Sequence, residues 1–237
     1  MTTVNPELPS VAALMGRDCE PMVAVDGRSL HADVIAPLQA LQQTARHAGF
    51  DLRIASGFRD YERQRAIWNA KALGSRAVND AQGVPIDTAA LDANGLMQAI
   101  LRWSALPGTS RHHWGSDFDV YDAAAVAEDY DVQLTDTEVY GEGPFAPMHD
   151  WLDGYLATDA GAVFRRPYEG VGAVAPERWH LSYQPLAVRF ERLLQRPETV
   201  GAMETLLAQD KELALQQEVL QHFGQLYADY VAVYAIV

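Results

Sequence analysis

Two stretches of the sequence combine histidine and carboxylate side chains in a way that could hold a metal ion. The first, Ser110 to Asp119, reads SRHHWGSDFD, and the second, Pro176 to Tyr183, reads PERWHLSY. A catalytic zinc ion usually takes three nitrogen or oxygen ligands and keeps a fourth position for water. His112, Asp119 and His180 supply such a set, so the sequence predicts a divalent metal site.

Glu177 lies three positions before His180 and offers a carboxylate that the metal does not need as a ligand. A bound zinc ion lowers the pKa of its water from about 16 to about 7, and a nearby carboxylate can accept the proton. We therefore expect Glu177 to be the general base of a hydrolase. Positions three apart on a straight strand point to opposite faces, so this role requires a bend after Pro176.

The segment DFDV, from Asp117 to Val120, alternates acidic and apolar residues. This period of two predicts a strand with the carboxylates of Asp117 and Asp119 on one face. His112 precedes that strand, at a bend that Gly115 permits. Asp117 is expected to orient a ligand histidine, because carboxylates commonly hold metal-binding histidines in this way.

Two other histidines need to be weighed against this assignment. His113 would replace His112 as a ligand if the register of the motif shifted by one residue. His149, beside Asp150 on a predicted helix, is expected at the surface. The prediction keeps His112, because its seven-residue interval to the strand carboxylate belongs to a pattern with several parts.

The motifs around these residues form a combined pattern. SxHxxGxxxD is followed by ExWH and preceded by SGFR; the matching residues are Ser110, His112, Gly115, Asp119, Glu177, Trp179, His180, Ser56, Gly57, Phe58 and Arg59. The chain thereby resembles the zinc D-alanyl-D-alanine carboxypeptidases, the VanY-like and VanX-like peptidases, over roughly residues 30–183. The resemblance implies that zinc is the cofactor and that the metal ligands and the base are those named above.

The resemblance also implies that Arg59 stabilises the oxyanion. A planar guanidinium with a fixed charge suits an anionic tetrahedral intermediate, where one positioned donor is worth roughly 3 kcal/mol. Further substrate contacts are implied for Ser56, Gln64 and Ser110. Two positions depart from the family pattern without removing a ligand: Asp117 stands where many relatives carry a small residue, and Arg178 where the motif often has proline.

Hydrophobic spacing predicts the elements that would position the site. Apolar residues at helical intervals from Val34 predict a helix that ends near Gly49. The alternating run that follows predicts a strand ending at Ser56. Asp60 is a favoured N-cap for a helix over residues 61–73.

The remaining segments complete an α+β prediction. Residues 74–95 form a long connection that we expect to border the substrate cleft, and a hairpin is predicted around Glu169 and Gly170. By resemblance, the fold is a small, mostly antiparallel sheet flanked by helices, as in the hedgehog/DD-peptidase fold, with a helical C-terminal tail. The predicted organisation is an N-terminal extension (1–28), a catalytic domain (29–184) and a helical extension (185–237) packed on that domain.

Charge limits the partners. The 18 Lys and Arg against 32 Asp and Glu residues give a net charge of -14, which argues against nucleic acid or an anionic membrane as a partner. Arg111, Arg165 and Arg166 supply local positive charge, and a carboxypeptidase needs cations or donors for the free C-terminal carboxylate of its substrate.

Several features predict a cytoplasmic location. The single cysteine, Cys19, cannot form an intramolecular disulfide, so the fold does not need an oxidising compartment. The N-terminus shows no basic region ahead of a long apolar core. The longest apolar run, Tyr230 to Val237, is far shorter than the ~20 residues of a membrane helix.

The predicted activity is removal of the C-terminal D-alanine from peptidoglycan stem peptides. In the cytoplasm a D,D-carboxypeptidase would destroy the pentapeptide precursor, so L,D cleavage of recycled tetrapeptides to tripeptides is favoured, with D,D cleavage as the alternative. An inert zinc-binding module, as in the hedgehog signalling domain, is a second alternative, and Glu177 and Arg59 argue against it. An iron(II) oxygenase is disfavoured because the proposed ligands form no HxD motif.

Overall fold

The structure is a computed structural model that describes residues 8–19 and 21–235. The predicted N-terminal extension falls partly outside this range. The strands of the described residues are β1 (Met22–Val25), β2 (Arg28–His31), β3 (Leu52–Ser56), β4 (Asp117–Asp122), β5 (Phe164–Arg165) and β6 (His180–Tyr183). The helices are α1 (Val11–Leu14), α2 (Ala32–His47), α3 (Tyr61–Ala72), α4 (Ala93–Leu101), α5 (Asp136–Val139), α6 (Ala146–Leu156), α7 (Gln184–Leu194), α8 (Pro197–Gln209) and α9 (Gln216–Tyr230).

Two antiparallel sheets organise these elements. Strands β1 and β2 form a hairpin, and the larger sheet has the order β3-β4-β6-β5. Strand β4, one of the two inner strands, is buried at five of its six positions, as expected for a strand covered on both faces. Asp119 on β4 pairs with Ser56 of β3 on one side and with His180 of β6 on the other. The predicted α+β fold with a small antiparallel sheet is confirmed.

Helices α2 and α3 follow the sequence prediction closely. On α2, the residues that recur at helical spacing, Val34, Leu38 and Leu41, are buried against the core. The Asp60 side chain accepts a 2.7 Å hydrogen bond from the Arg63 amide and caps α3. This cap fixes where α3 begins, directly after the SGFR motif.

The C-terminal helices pack on the same core as the sheet. Phe190 of α7 stacks on Trp114 with ring centroids 5.3 Å apart. The indole of Trp68 on α3 donates to the Ala214 carbonyl at 2.9 Å. One hydrophobic cluster includes residues of α2, β4, α7 and α9. The helices after Gln184 therefore bury apolar surface that the preceding residues alone would leave exposed.

Two loop predictions need correction. Residues 74–92 are mostly irregular, as predicted. The cleft of the candidate site is lined by Arg59 and by residues from Leu101 onward, so this connection does not border the cleft. Strands β5 and β6 do pair, with Phe164 opposite Tyr183. They are joined by the long loop 166–179 rather than by a tight turn at Glu169 and Gly170. No helix in the described ranges is long and apolar enough to cross a membrane.

Candidate active site

His112, Asp119 and His180 meet at one point beside the larger sheet. Their potential ligand atoms all lie within 4.8 Å of one another, and the three side chains are buried. His112 Nε2 is 3.4 Å from Asp119 Oδ2, and His180 Nδ1 is 3.2 Å from Asp119 Oδ1. Because Asp119 and His180 are paired directly across β4 and β6, the sheet itself fixes their spacing.

Two glycines bring His112 to this point. Gly115 ends the 3-10 turn Arg111–Trp114 in a left-handed conformation with φ of 65°. A Cβ at Gly115 would lie 2.8 Å from the His31 amide nitrogen, and one at Gly57 would lie 2.5 Å from the Ser29 carbonyl oxygen. Both glycines therefore permit a close approach between backbone segments that a larger residue would prevent.

The arrangement fits a divalent ion. His180 Nδ1 and Asp119 Oδ1 are buried and have no hydrogen-bond partner among the described residues. Buried polar atoms are nearly always paired, so two such atoms facing each other indicate a missing ligand. Two imidazoles and one carboxylate form a donor set that zinc accepts, with a further position open.

In each of the two histidines, the ring nitrogen that points away from the candidate metal site contacts an oxygen atom of the protein. His112 Nδ1 lies 2.9 Å from the Gly57 carbonyl oxygen, which can only accept, so Nδ1 carries the proton and Nε2 faces the site. His180 Nε2 lies 3.1 Å from Asp117 Oδ1, so its Nδ1 faces the site. Such partners fix the tautomer and the ring orientation of a metal-binding histidine. Asp117 thus lies where the sequence prediction placed an orienting carboxylate.

Asp117 belongs to a buried charge network. Its Oδ1 accepts from Arg111 Nε at 2.7 Å, and its Oδ2 accepts from Ser116 Oγ. Arg111 also lies 2.9 Å from Glu191 of α7, which in turn pairs with Arg165. Against the effect of burial, Arg111 and His180 hold the pKa of Asp117 well below its usual range. The C-terminal helix α7 therefore supports the groups behind the candidate metal site.

Burial and charge set the protonation of the three candidate ligands. Burial and the nearby Arg59 lower the pKa of His112 to about 3, which keeps the ring neutral and able to bind a metal. For Asp119, burial is outweighed by His112 and His180, which lower its pKa to about 2. The pKa of His180 is raised despite burial, because Asp117 and other carboxylates surround it.

Glu177 reaches the same site through a turn. The His180 amide donates to the Glu177 carbonyl at 3.1 Å, closing a turn over Arg178 and Trp179. This is the bend that the sequence prediction required after Pro176. Glu177 Oε2 lies 3.5 Å from His180 Nδ1, and burial raises the pKa of the Glu177 carboxyl. A carboxylate with a raised pKa at this place is suited to accept and return a proton.

Arg59 also lies beside the candidate ligands. Its guanidinium is 3.7 Å from Asp119 Oδ2 and donates to Gln64 Oε1 at 3.2 Å. Gln64 is buried, and its amide donates to the Ala105 carbonyl at 2.7 Å. Both ends of the Gln64 amide are therefore engaged within the protein, which places Gln64 as a support for Arg59.

A cleft of about 50 Å³ opens in front of these groups. Its lining includes Arg59, Ser104, Ser110, Tyr168, Glu177 and Tyr230. Ser110 makes no capping hydrogen bond and can face a substrate. Ser56 lies opposite Asp119 in the sheet but outside the cleft lining. A larger hollow of about 420 Å³ around Asp26 and Tyr121 contains none of the site residues.

Tyr168 and Tyr230 were not predicted from the sequence. The Tyr168 ring packs edge-on against His180 with centroids 5.0 Å apart. Tyr230 of α9 donates to Gln98 at 2.6 Å and lines the cleft. No sequence signal marks either residue, because each reaches the site only through long-range packing.

The other histidines lie away from the candidate ligands. His113 Nδ1 is 2.6 Å from the Arg59 carbonyl, and its Nε2 accepts from the Gly108 amide, so both ring nitrogens are engaged by backbone. His149 was expected at the surface and is instead fully buried on α6. An HxD sequence at residues 31–33 does not contribute a ligand either, since the His31 side chain caps α2, with Nδ1 accepting from the Asp33 amide.

The two departures from the family motif have structural partners. Asp117 orients His180, as described above. Arg178 bonds to the Val139 carbonyl at 2.6 Å and to Asp150 of α6 at 2.6 Å. Trp179 packs in a small apolar cluster with Val139. Arg178 therefore anchors the turn before His180 through polar contacts.

The three arginines considered for the substrate carboxylate are already engaged. Arg111 pairs with Asp117 and Glu191, Arg165 pairs with Glu191, and Arg166 pairs with Asp153. None of the three lines the cleft. The prediction that they bind the C-terminal carboxylate is therefore not supported by their positions.

Comparisons with known proteins identify the family of the chain. The family model of D-alanyl-D-alanine carboxypeptidase, VanY, matches residues 27–186, more than half of the chain. The chain belongs to this family. An uncharacterized protein of Haemophilus influenzae is 51% identical over 77 residues, which are 32% of this chain and 53% of that protein. The chain thus spans about half the length of this relative.

Two solved structures illustrate the similarity. The vancomycin-resistance D,D-pentapeptidase VanY from a VanB-type cassette, in complex with Zn(II), is 23% identical with a TM-score of 0.48, covering 71% of this chain and 81% of its own. The LdcB LD-carboxypeptidase is 18% identical with a TM-score of 0.47, covering 88% of this chain and 72% of its own. The family assignment rests on the family model.

Proposed function

We propose that the protein is a zinc-dependent carboxypeptidase that removes the C-terminal D-alanine from peptidoglycan stem peptides. The observation that carries this proposal is the convergence of His112, Asp119 and His180, with Glu177 left free beside them. Membership in the D-alanyl-D-alanine carboxypeptidase family supports the substrate class.

The three candidate ligands would hold the ion, which supplies Lewis acidity toward the scissile carbonyl and the attacking water. Glu177 takes a proton from that water as the water oxygen attacks the carbonyl carbon. The same carboxyl then returns the proton to the leaving nitrogen of D-alanine as the carbon-nitrogen bond breaks.

Arg59 faces the charge that develops on the carbonyl oxygen. Its guanidinium is held by Gln64 and lies near Asp119, so it is in place before the reaction begins. A donor positioned in advance costs no reorganisation when the oxyanion forms. Ser110 contributes a hydroxyl to the same cleft and can bond the substrate backbone.

Within this activity we favour cleavage of the L,D bond that joins D-alanine to the preceding residue of a tetrapeptide. The reason is physiological and depends on the proposed cytoplasmic location, where trimming recycled tetrapeptides would spare the pentapeptide precursor. Cleavage of a D-alanyl-D-alanine terminus is the alternative within the same chemistry.

The experiment is to incubate the zinc-loaded protein with defined tetrapeptide and pentapeptide separately and to measure free D-alanine. Release from the tetrapeptide, abolished by a chelator and restored by zinc, is the expected result. Turnover of the pentapeptide alone would replace the L,D assignment by the D,D one. Release from neither substrate would contradict the proposed function.

A further inference from the structure

The C-terminal carboxylate of the substrate needs a cationic partner that the arginine pairs described above do not provide. Arg111, Arg165 and Arg166 are held by carboxylates of the protein itself. Hydrogen bonds in which one group carries a charge are roughly twice as strong as neutral ones, so a cation beside a hydroxyl is a good carboxylate receptor. Lys71 and Ser104 form such a pair.

Lys71 Nζ lies 2.7 Å from Ser104 Oγ in a partly buried position. Within the part of the chain that the structure describes, this is the one hydrogen bond of the ammonium group, and Lys71 forms no ion pair. An ammonium group carries three donors, so two of them remain available. A partly buried cation without an anionic partner is costly, and a bound anion would remove that cost.

Ser104 connects this cation to the cleft. Ser104 lines the same cleft as Arg59, Glu177 and His180. Because Ser104 Oγ accepts from Lys71, its own proton is free to point toward a group in the cleft. The pair therefore presents a hydroxyl donor in the cleft with a positive charge directly behind it.

Helix α3 fixes the position of this pair relative to Arg59. Gln64 and Lys71 are seven residues apart, about two helical turns, so they lie on one face of α3. Gln64 holds both Arg59 and the Ala105 carbonyl, while Lys71 holds the adjacent Ser104. The same face of α3 therefore positions both Arg59, which is proposed to contact the scissile carbonyl, and the neighbouring cation, Lys71.

We propose that Lys71 and Ser104 form the subsite for the free C-terminal carboxylate of the peptide substrate. This inference rests on the proposed carboxypeptidase function. In a C-terminal residue the carboxylate is separated from the scissile carbonyl by the amide nitrogen and one carbon, so its receptor has to border the same cleft as Arg59. Ser104 meets this requirement.

The experiment compares a peptide that ends in D-alanine with the same peptide ending in D-alaninamide. The variants are Lys71→Met, which removes the charge, and Lys71→Arg, which keeps it. Arg76→Met, at a nearby exposed cation, is the matched control for a general loss of positive charge. Zinc content and melting temperature are recorded for each variant.

For Lys71→Met we expect the KM of the free acid to rise about tenfold or more, since a charged hydrogen-bonded partner is lost. The KM of the amide stays near the wild-type value, so the preference for the free acid over the amide is largely lost. Lys71→Arg retains much of that preference, and Arg76→Met retains all of it. An equal rise for acid and amide, or no change for the acid, would overturn the subsite.

A binding measurement separates this inference from the proposed function. The affinities of wild type and Lys71→Met are measured for D-alanyl-D-alanine and for its C-terminal amide by calorimetry. A preference for the acid that depends on Lys71 supports the subsite even if no peptide is hydrolysed. Hydrolysis by the wild type with a preference that is unchanged in Lys71→Met and Ser104→Ala would leave the function standing and reject the subsite.

Discussion

His180 and Asp117 lie on adjacent antiparallel strands, with His180 Nε2 3.1 Å from Asp117 Oδ1. This contact leaves His180 Nδ1 facing Asp119 and Glu177. The carboxylate is itself held by Arg111. The ring orientation of one candidate metal ligand is therefore set by a buried ion pair behind it.

Asp117→Asn should weaken zinc binding. The amide keeps the size of the side chain but loses the charge that supports the His180 ring, and comparable changes reduce metal affinity by about 10- to 100-fold. Zinc affinity is measured by competition with a chelator. Asp122→Asn, at the far end of β4, is the control and should bind zinc as the wild type does. Equal affinities of Asp117→Asn and wild type would reject the orienting role.

Arg59→Lys should lower kcat while zinc remains bound. Lysine keeps the charge but cannot reproduce the planar guanidinium that Gln64 holds. Loss of one positioned oxyanion donor typically costs about 10²- to 10³-fold in kcat. Arg63→Lys, at an exposed site on α3, provides the control and should be fully active. A wild-type kcat in Arg59→Lys would show that the arginine is not needed for transition-state stabilisation.

Gly115→Ala should destabilise the protein and reduce its zinc content. A non-glycine residue in the left-handed conformation costs about 1–3 kcal/mol, and the new Cβ would lie 2.7 Å from Met22 Sδ. The free energy of unfolding is measured with urea. Gly201→Ala on α8, where a Cβ meets open space, should be neutral or slightly stabilising. A loss of stability in Gly201→Ala without one in Gly115→Ala would contradict this prediction.

The preference for a free-acid peptide over its amide should weaken at alkaline pH, because Lys71 loses its charge. Burial, with a contribution from Arg76, lowers the pKa of Lys71 to about 8, and Arg59 acts in the same direction. Glu177 opposes this shift. The ammonium is charged below that pH and neutral above it, so the KM of a free-acid peptide should rise relative to its amide as pH increases through about 8.

The control for this pH dependence is Lys71→Arg. A guanidinium stays charged throughout this range, because its pKa lies above about 12. The ratio of the two KM values should therefore stay constant in Lys71→Arg. The same alkaline rise in both proteins would assign the titration to another group.

The predicted ligands come together because the chemistry restricts their residue types and the motifs fix their local spacing. Acidic and apolar residues alternate in the segment from Asp117 to Val120, so the strand and the placement of Asp119 on it could be predicted from the sequence. The bend that brings Glu177 alongside His180 was also required by the spacing alone. The metal-binding roles of these residues stay predictions until an ion is measured.

Long-range partners could not be predicted in this way. Arg111 pairs with Glu191, 80 residues later, and Arg165 joins the same carboxylate. No local pattern connects these positions, so the arginines were interpreted as substrate contacts. His149 is expected at the surface because it adjoins Asp150, but it lies on the buried face of α6. Lys71 gave no signal for the same reason, since its partner Ser104 lies 33 residues away.

The measurement that tests the account most directly combines zinc content and D-alanine release in Glu177→Ala and His180→Ala. Because Glu177 is a base and not a ligand, Glu177→Ala should keep the zinc content of the wild type while D-alanine release falls by about 10²- to 10⁴-fold. His180→Ala should lose the zinc, and Glu169→Ala, an exposed position on the same loop, should change neither quantity. Wild-type release by Glu177→Ala, or wild-type zinc content in His180→Ala, would contradict the proposed site.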